Sequence, residues 1–212
     1  LLETIRWDPE EGFSLLERHL SRLARSAQYF DFEFQPGLLE GRLQKASEEW
    51  PREVHRVRLL VDSSGKPEIE AEPLRPDDQV WKLALARHPV DRRDRFLFHK
   101  TTHRDVYDSA ASAFPDHDDV VLWNEEGEVT ETTIANLVLR KDGKLLTPAL
   151  DSGLLPGTLR EELLAEERLH ERVVTIQDLQ SAEEIFLINS VRGWTLAILD
   201  LATLETHEGI PA

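Results

Sequence analysis

FLFHKTTHRDVY, residues 96–107, is the stretch on which the reading of this chain turns. An apolar run, Phe96-Leu97-Phe98, gives way to a polar helix start, Thr101-Thr102-His103-Arg104, and Lys100 stands between them. A lysine after an apolar strand commonly serves as a solvated rim charge. Desolvated, it favours its neutral amine instead, the form able to attack a carbonyl and hold it covalently. Three more clusters follow: Glu131 with Asn136 in VTETTIAN, Pro156 to Arg160 in PGTLR, and Asn189 to Gly193 in NSVRG.

Around that stretch the chain reads as two α+β lobes. Leu2 to Trp7 is a strand, and Leu16, Leu20, Leu23 and Ala27 then recur every three to four residues, as one buried helix face requires. Gly37 to Trp50 is a second helix, with Leu39, Leu43, Ala46 and Trp50 on its buried side. Val57, Leu59 and Val61 alternate before the turn Asp62 to Gly65, Ile69 begins a returning strand, and Val80 to Ala86 is a third strand of this half. His88-Pro89 and the charged run Asp91 to Arg95 then break the periodicity. The expected division is a small lobe over residues 1–90, with its amino-terminal part missing, and a larger one over 91–212 that carries Lys100. In the larger lobe Phe96 to His99 reads as a short strand, Arg104 to Ala113 as a helix, and Val120 to Trp123, Val129 to Leu139 and Leu145-Leu146 as a meander. Pro156-Gly157 opens a helix over Thr158 to Arg168, and Glu184 to Ile188 and Trp194 to Asp200 are the last strands.

Composition narrows the classes. Among 212 residues, 41 acidic side chains against 25 basic ones give a formal charge of −16, which disfavours a nucleic-acid surface with its need for clustered cations. Cysteine is absent, so thiolate nucleophiles and thiolate metal sites are excluded, and no metal is expected. No apolar run reaches the ~18 residues of a membrane span, and the amino end lacks a signal-peptide pattern, so a soluble cytoplasmic protein is expected.

The clusters share one chemistry. Lys100 supplies an amine, and Glu131 a carboxylate that, set against a ring nitrogen, would keep a pyridinium protonated. Gly157 permits close approach to a helix start whose amides, with the Thr158 hydroxyl and the Leu159 backbone, can cradle a phosphate. Arg22 can add bidentate contacts to that cradle. Asn189, Ser190 and Val191 lie where a strand gives way to a loop suited to directional polar contacts. A pyridine ring bearing an aldehyde and a phosphate would use all of these groups. Each also has a plainer role on pattern alone: Arg22 as a solvated helical arginine, Glu131 as a strand glutamate, and Asn189 and Ser190 as turn residues.

Taken in order, LLETIRW, RHLSRLARSAQYF, FLFHKTTHRDVY, NEEGEVTETTIANLVL, TPALDSGLLPGTLR and EEIFLINSVRG resemble the class IV aminotransferase-fold enzymes that use pyridoxal 5'-phosphate (PLP), most nearly the aminodeoxychorismate lyase branch, including lyase-like domains fused behind a synthase component. The resemblance implies a two-lobed D-amino-acid/branched-chain aminotransferase-like fold, shortened at its amino end, a homodimer, and an upstream synthase domain or partner. It further implies that Lys100 holds the cofactor aldehyde and acts as catalytic base, that Glu131 faces the ring nitrogen, and that Tyr107 approaches the ring hydroxyl. Arg22, Thr158, Leu159, Ser190 and Val191 would bind the phosphate. Thr4 and Asn189 match lyase-branch positions, as a proton-transfer helper and a substrate contact. In aminotransferase relatives the first-strand position of Thr4 is often glycine, which favours the lyase. RLLVDSSGKPEIE replaces the RGY-type segment of relatives, leaving Arg56 or Arg58 for a substrate carboxylate, with two plain surface cations as the alternative. The implied reaction converts 4-amino-4-deoxychorismate to 4-aminobenzoate and pyruvate in folate biosynthesis. Amino transfer between an amino acid and a 2-oxo acid is the alternative enzyme, and a non-catalytic interaction domain the alternative of another class.

Overall fold

The computed structural model describes residues 1–206 and divides into two compact units, Leu1–Asp77 with His99–Thr102, and Asp78–Phe98 with His103 onward. Both are α+β, giving the two-lobed class expected. The division falls earlier than residue 90, and Lys100 groups with the first unit, whereas the expected division placed it in the larger lobe.

In the first unit, β1 (Leu2–Asp8), β2 (Gly12–Phe13), β3 (His55–Val61) and β4 (Pro67–Pro73) form an antiparallel sheet in the order β2-β1-β3-β4. The alternation read in the sequence is what builds it: Ile5, Val57 and Leu59 are fully buried on one face, with α1 (Leu16–Phe30) and α2 (Pro36–Ser47) contributing Leu23, Ala27, Leu39 and Leu43 to the same core. Gly65 closes the β3–β4 turn at φ +76°, where a Cβ would also lie 2.8 Å from the Glu33 carbonyl oxygen.

The second unit contains β5 (Trp81–Leu85), α3 (Asp105–Ser112), β6 (Asp119–Trp123), β7 (Val129–Thr132), β8 (Asn136–Lys141), β9 (Lys144–Pro148), α4 (Thr158–Ala165), β10 (His170–Arg172), α5 (Ile176–Gln180), β11 (Glu184–Asn189) and β12 (Gly193–Leu199). Its eight strands form one mixed sheet in the order β10-β9-β8-β11-β12-β5-β6-β7. β6 and β7 are buried at every position, and Trp123 donates its indole N–H to the Ala86 carbonyl at 2.8 Å. Val138, Leu163, Leu169 and Ile188 make a smaller core under α4. Among the described residues no helix is long and apolar enough to cross a membrane.

Three elements differ from the sequence reading. The strand over 81–85 pairs with β12 and β6 in the second unit's sheet, not in the first half. Residues 96–99 do not form a strand; Arg95–Leu97 is a 3-10 turn because the Asp94 carboxylate accepts the Phe96 amide at 2.9 Å and its carbonyl accepts that of Leu97. The stretch 129–139 is broken at Thr133-Ile134-Ala135, where the Thr132 amide and hydroxyl both donate to the Ala135 carbonyl and Asp119 accepts the amide and hydroxyl of Thr133.

Candidate active site

β1 turns Glu3, Ile5 and Trp7 inward and leaves Thr4 and Arg6 on the opposite face. The inward side of α1 carries His19, Arg22, Leu23, Ser26 and Ala27, at the spacing of one helical stripe. Two polar groups of the helix therefore meet Glu3 in the interior. Arg22 Nε donates to Glu3 Oε1 at 2.9 Å and Nη2 to Oε2 at 2.5 Å, while His19 Nδ1 lies 2.7 Å from Oε2. Burial opposes ionisation of Glu3, but the Arg22 charge and the hydrogen bonds from His19 and Arg22 outweigh it and hold the carboxyl down at about 2. Arg22 is 4% exposed, so the solvated role is excluded.

Lys100 is half-buried, and its main chain is fixed within the same unit. The Lys100 carbonyl accepts the Leu2 amide at 3.0 Å. The preceding His99 ring lies 2.9 Å from Ser26 Oγ through Nδ1, with its centroid 4.4 Å from that of Tyr29 and 5.0 Å from that of Phe30. Burial, with the Arg25 charge, lowers the His99 pKa. Strand and helix thus hold the backbone from which the Lys100 amine projects.

Arg56 and Arg58 share the open face of the sheet with Thr4. Thr4 sits opposite Arg58 and Arg6 opposite Arg56 in the β1–β3 register. Both β3 arginines are ion-paired to β4, Arg56 to Glu72 at 2.7 Å and Arg58 to Glu70 at 2.8 Å. Alternation therefore presents the two together.

In the second unit Glu131, 3% exposed on β7, gathers three donors. Tyr107 Oη and the Leu155 amide donate to Oε1 at 2.8 and 3.0 Å, and Asn136 Nδ2 donates to Oε2 at 3.3 Å. Burial and the Glu131 charge push the Tyr107 phenol far up, keeping it a donor, and Arg104 lies over its ring at 4.8 Å. Asn136 Nδ2 also donates to the Leu155 carbonyl at 2.9 Å. Gly157, the N-cap of α4, packs so closely that a Cβ there would stand 1.9 Å from Asn136 Oδ1. The carboxylate and the α4 entry are thereby one hydrogen-bonded assembly. The N-cap residue, a glycine, makes no side-chain cap bond, and Thr158 is buried at the first position of α4. Leu159 packs into the core under α4, while Arg160 turns away to the Pro148 carbonyl and Glu171.

At the β11–β12 turn Asn189 Oδ1 accepts the amides of Val191 and Arg192 at 3.0 and 2.8 Å, Ser190 is half-buried between them, and Gly193 completes the turn at φ +73°. The Val191 amide thus has Asn189 as its partner.

The structure joins Tyr107 to Glu131, Arg22 to the β1 strand of Thr4, and Asn189 to Val191. Sequence reasoning passed over Glu3 and His19. Their signal was legible as a glutamate on the apolar alternation of β1, matched by a histidine and an arginine three apart on the apolar side of α1. Each unit by itself carries groups of the kind that a pyridine aldehyde phosphate uses: the first an amine on a fixed backbone and a guanidinium, the second a buried carboxylate and a helix start at a glycine.

A family model described as Amino-transferase class IV matches residues 1–197. The chain is 30% identical over 203 residues to a Schizosaccharomyces pombe protein named "Putative aminodeoxychorismate lyase", covering 91% of this chain and 86% of that one. It is 31% identical over 202 residues to a Thermotoga maritima "Probable branched-chain-amino-acid aminotransferase", covering 90% and 73%. A crystal structure of a "Putative amino-acid aminotransferase" from Mesorhizobium loti superposes with a TM-score of 0.89 at 41% identity, covering 94% of this chain and 99% of that one.

Proposed function

Because this chain belongs to the class IV aminotransferase family, whose members work with PLP, we propose that it is the lyase that converts 4-amino-4-deoxychorismate to 4-aminobenzoate and pyruvate. The observation that carries the choice is the open face of β1 and β3, where Thr4 lies beside Arg6, Arg56 and Arg58, whose half-exposed ion pairs with Asp8, Glu72 and Glu70 a substrate's carboxylates would exchange for their own. That substrate bears two carboxylates, and guanidinium groups bind carboxylates in fixed, paired geometry. A branched aliphatic amino acid would leave such a face with one carboxylate to meet.

In this reading PLP supplies an electron sink for the charge that develops on the amine-bearing carbon. Lys100 would hold the cofactor at rest, and its freed amine would take the proton from that carbon. Thr4 assists that proton transfer from the neighbouring strand. The carbon–oxygen bond to the enolpyruvyl group breaks with its electron pair leaving on oxygen, the departing enolate takes up one proton at its methylene carbon to become pyruvate, and the ring becomes aromatic. Substrate and products balance atom for atom, so no second substrate is needed. Glu131, held by Tyr107, Asn136 and the Leu155 amide, keeps the ring nitrogen protonated. Arg22, Thr158, the Leu159 amide and Ser190 bind the phosphate, and Asn189 meets the substrate through its amide nitrogen. A homodimer and an upstream synthase partner complete the proposed assembly.

Amino transfer is the second reading, favoured by the likeness to the Mesorhizobium loti and Thermotoga maritima proteins. The two separate without any oxo acid present. Repeated pyruvate release by the PLP-loaded protein supports the lyase; stoichiometric pyridoxamine phosphate after one turnover supports the transferase.

A further inference from the structure

The Glu3–Arg22–His19 group is the one buried charged cluster of α1 and β1 to which no role has yet been given beyond holding Arg22. A hydrophobic trio of the same volume would fold as well or better, because desolvating an ion pair costs about what its attraction returns. Stability therefore does not account for it. What the group does supply is orientation. Arg22 Nε and Nη2 both end on one carboxylate, which fixes the plane of an otherwise freely rotating side chain. Glu3 in turn cannot swing away, since His19, fully buried, holds Oε2 at 2.7 Å and the Glu3 backbone is paired with Leu59 of β3.

We propose that Glu3, braced by His19, is a positioning residue that sets the guanidinium of Arg22 in the one orientation from which it binds the cofactor phosphate. The assignment rests on the proposed phosphate role of Arg22. Glu3 touches neither cofactor nor substrate; it acts through Arg22. The same strand thus carries the phosphate brace at Glu3 on its inner face and the substrate-side Thr4 on its outer face.

The test compares PLP with pyridoxal, which keeps the aldehyde and lacks the phosphate, by titrating the Lys100-dependent visible absorbance of each bound ligand. Arg22→Gln is expected to raise the PLP dissociation constant about 100-fold, Glu3→Gln about tenfold, and both to leave that for pyridoxal within about twofold, with the double variant no weaker than Arg22→Gln alone. A purely structural role would instead weaken both ligands together. Wild-type PLP affinity in Glu3→Gln, with the loss intact in Arg22→Gln, overturns the positioning role and leaves the phosphate reading standing. Unchanged preference for PLP in Arg22→Gln overturns the phosphate reading, and the positioning role with it. Should Glu3→Gln fail to fold by circular dichroism, Glu3→Asp keeps the charge but shortens its reach. It is expected to lose PLP affinity selectively, and an unchanged constant in the folded variant overturns the proposal.

Discussion

A Cβ on Gly157 would stand 1.9 Å from Asn136 Oδ1, although the backbone there, at φ −65°, suits any residue. Gly157→Ala is therefore expected to cost about 1–3 kcal/mol in urea unfolding through overpacking alone, and to weaken PLP binding by moving Asn136 off Glu131 and Leu155. Gly41, inside α2 with nothing within 4 Å of its Cβ position, is the control: Gly41→Ala is expected to gain about 0.5–1 kcal/mol. Glu3 has a pH signature of its own. Its carboxyl lies at about 2 in the folded chain against an ordinary 4.5, so its ionised form contributes stability that is fully present above pH 4.5 and is lost as pH falls toward 2. The stability gap between wild type and Glu3→Gln, measured by denaturant unfolding at successive pH values, should be constant near neutrality and shrink across that window. Lys100, Glu131 and the Gly157 opening were legible from the sequence because each sits at a change of pattern. Glu3 and His19 were not, because a buried charge becomes readable only when its partner on another element is known.

At the scale of elements, periodicity carried most of the reading. β1, α1, β3, β6, β11 and β12 lie where alternation or helical spacing put them, and Asp142-Gly143 turns β8 into β9 with positive φ at both positions, as expected of a two-residue hairpin. Two of the failures share a cause, side chains that bond the backbone. Asp94 turned an apolar run into a 3-10 turn, and Thr132 with Asp119 broke one apparent strand into β7 and β8. The same competition makes α5. Thr175 accepts the Asp178 amide at 3.1 Å while the Asp178 carboxylate accepts that of Thr175 at 3.2 Å, a reciprocal cap for a helix only five residues long. Thr175→Ala is expected to cost about 1 kcal/mol of stability by thermal unfolding, and to leave PLP affinity as in wild type.

At the scale of the whole molecule, charge and topology pull apart what the sequence could tell. The −16 excess is visible at once, and its consequence is self-repulsion in the folded state that salt relieves. Raising ionic strength from ~10 mM to ~150 mM shortens the screening length to about 8 Å, and the unfolding temperature is expected to rise. Which sheet each strand joins was less visible: 81–85 has the alternation of either unit, and only its parallel neighbours β12 and β6 assign it. Such partners are more than 30 residues away along the chain and leave no mark on local pattern. The family likewise follows from the order of the clusters along the chain, whereas the reaction rests on what the Thr4 and arginine face receives. The most direct test incubates PLP-loaded protein with 4-amino-4-deoxychorismate and no oxo acid, and quantifies 4-aminobenzoate and pyruvate against Lys100→Ala. Equal amounts of both products over many turnovers, lost in Lys100→Ala, are predicted; a cofactor-loaded protein that forms neither product, or stops after one turnover until an oxo acid is added, would contradict the lyase.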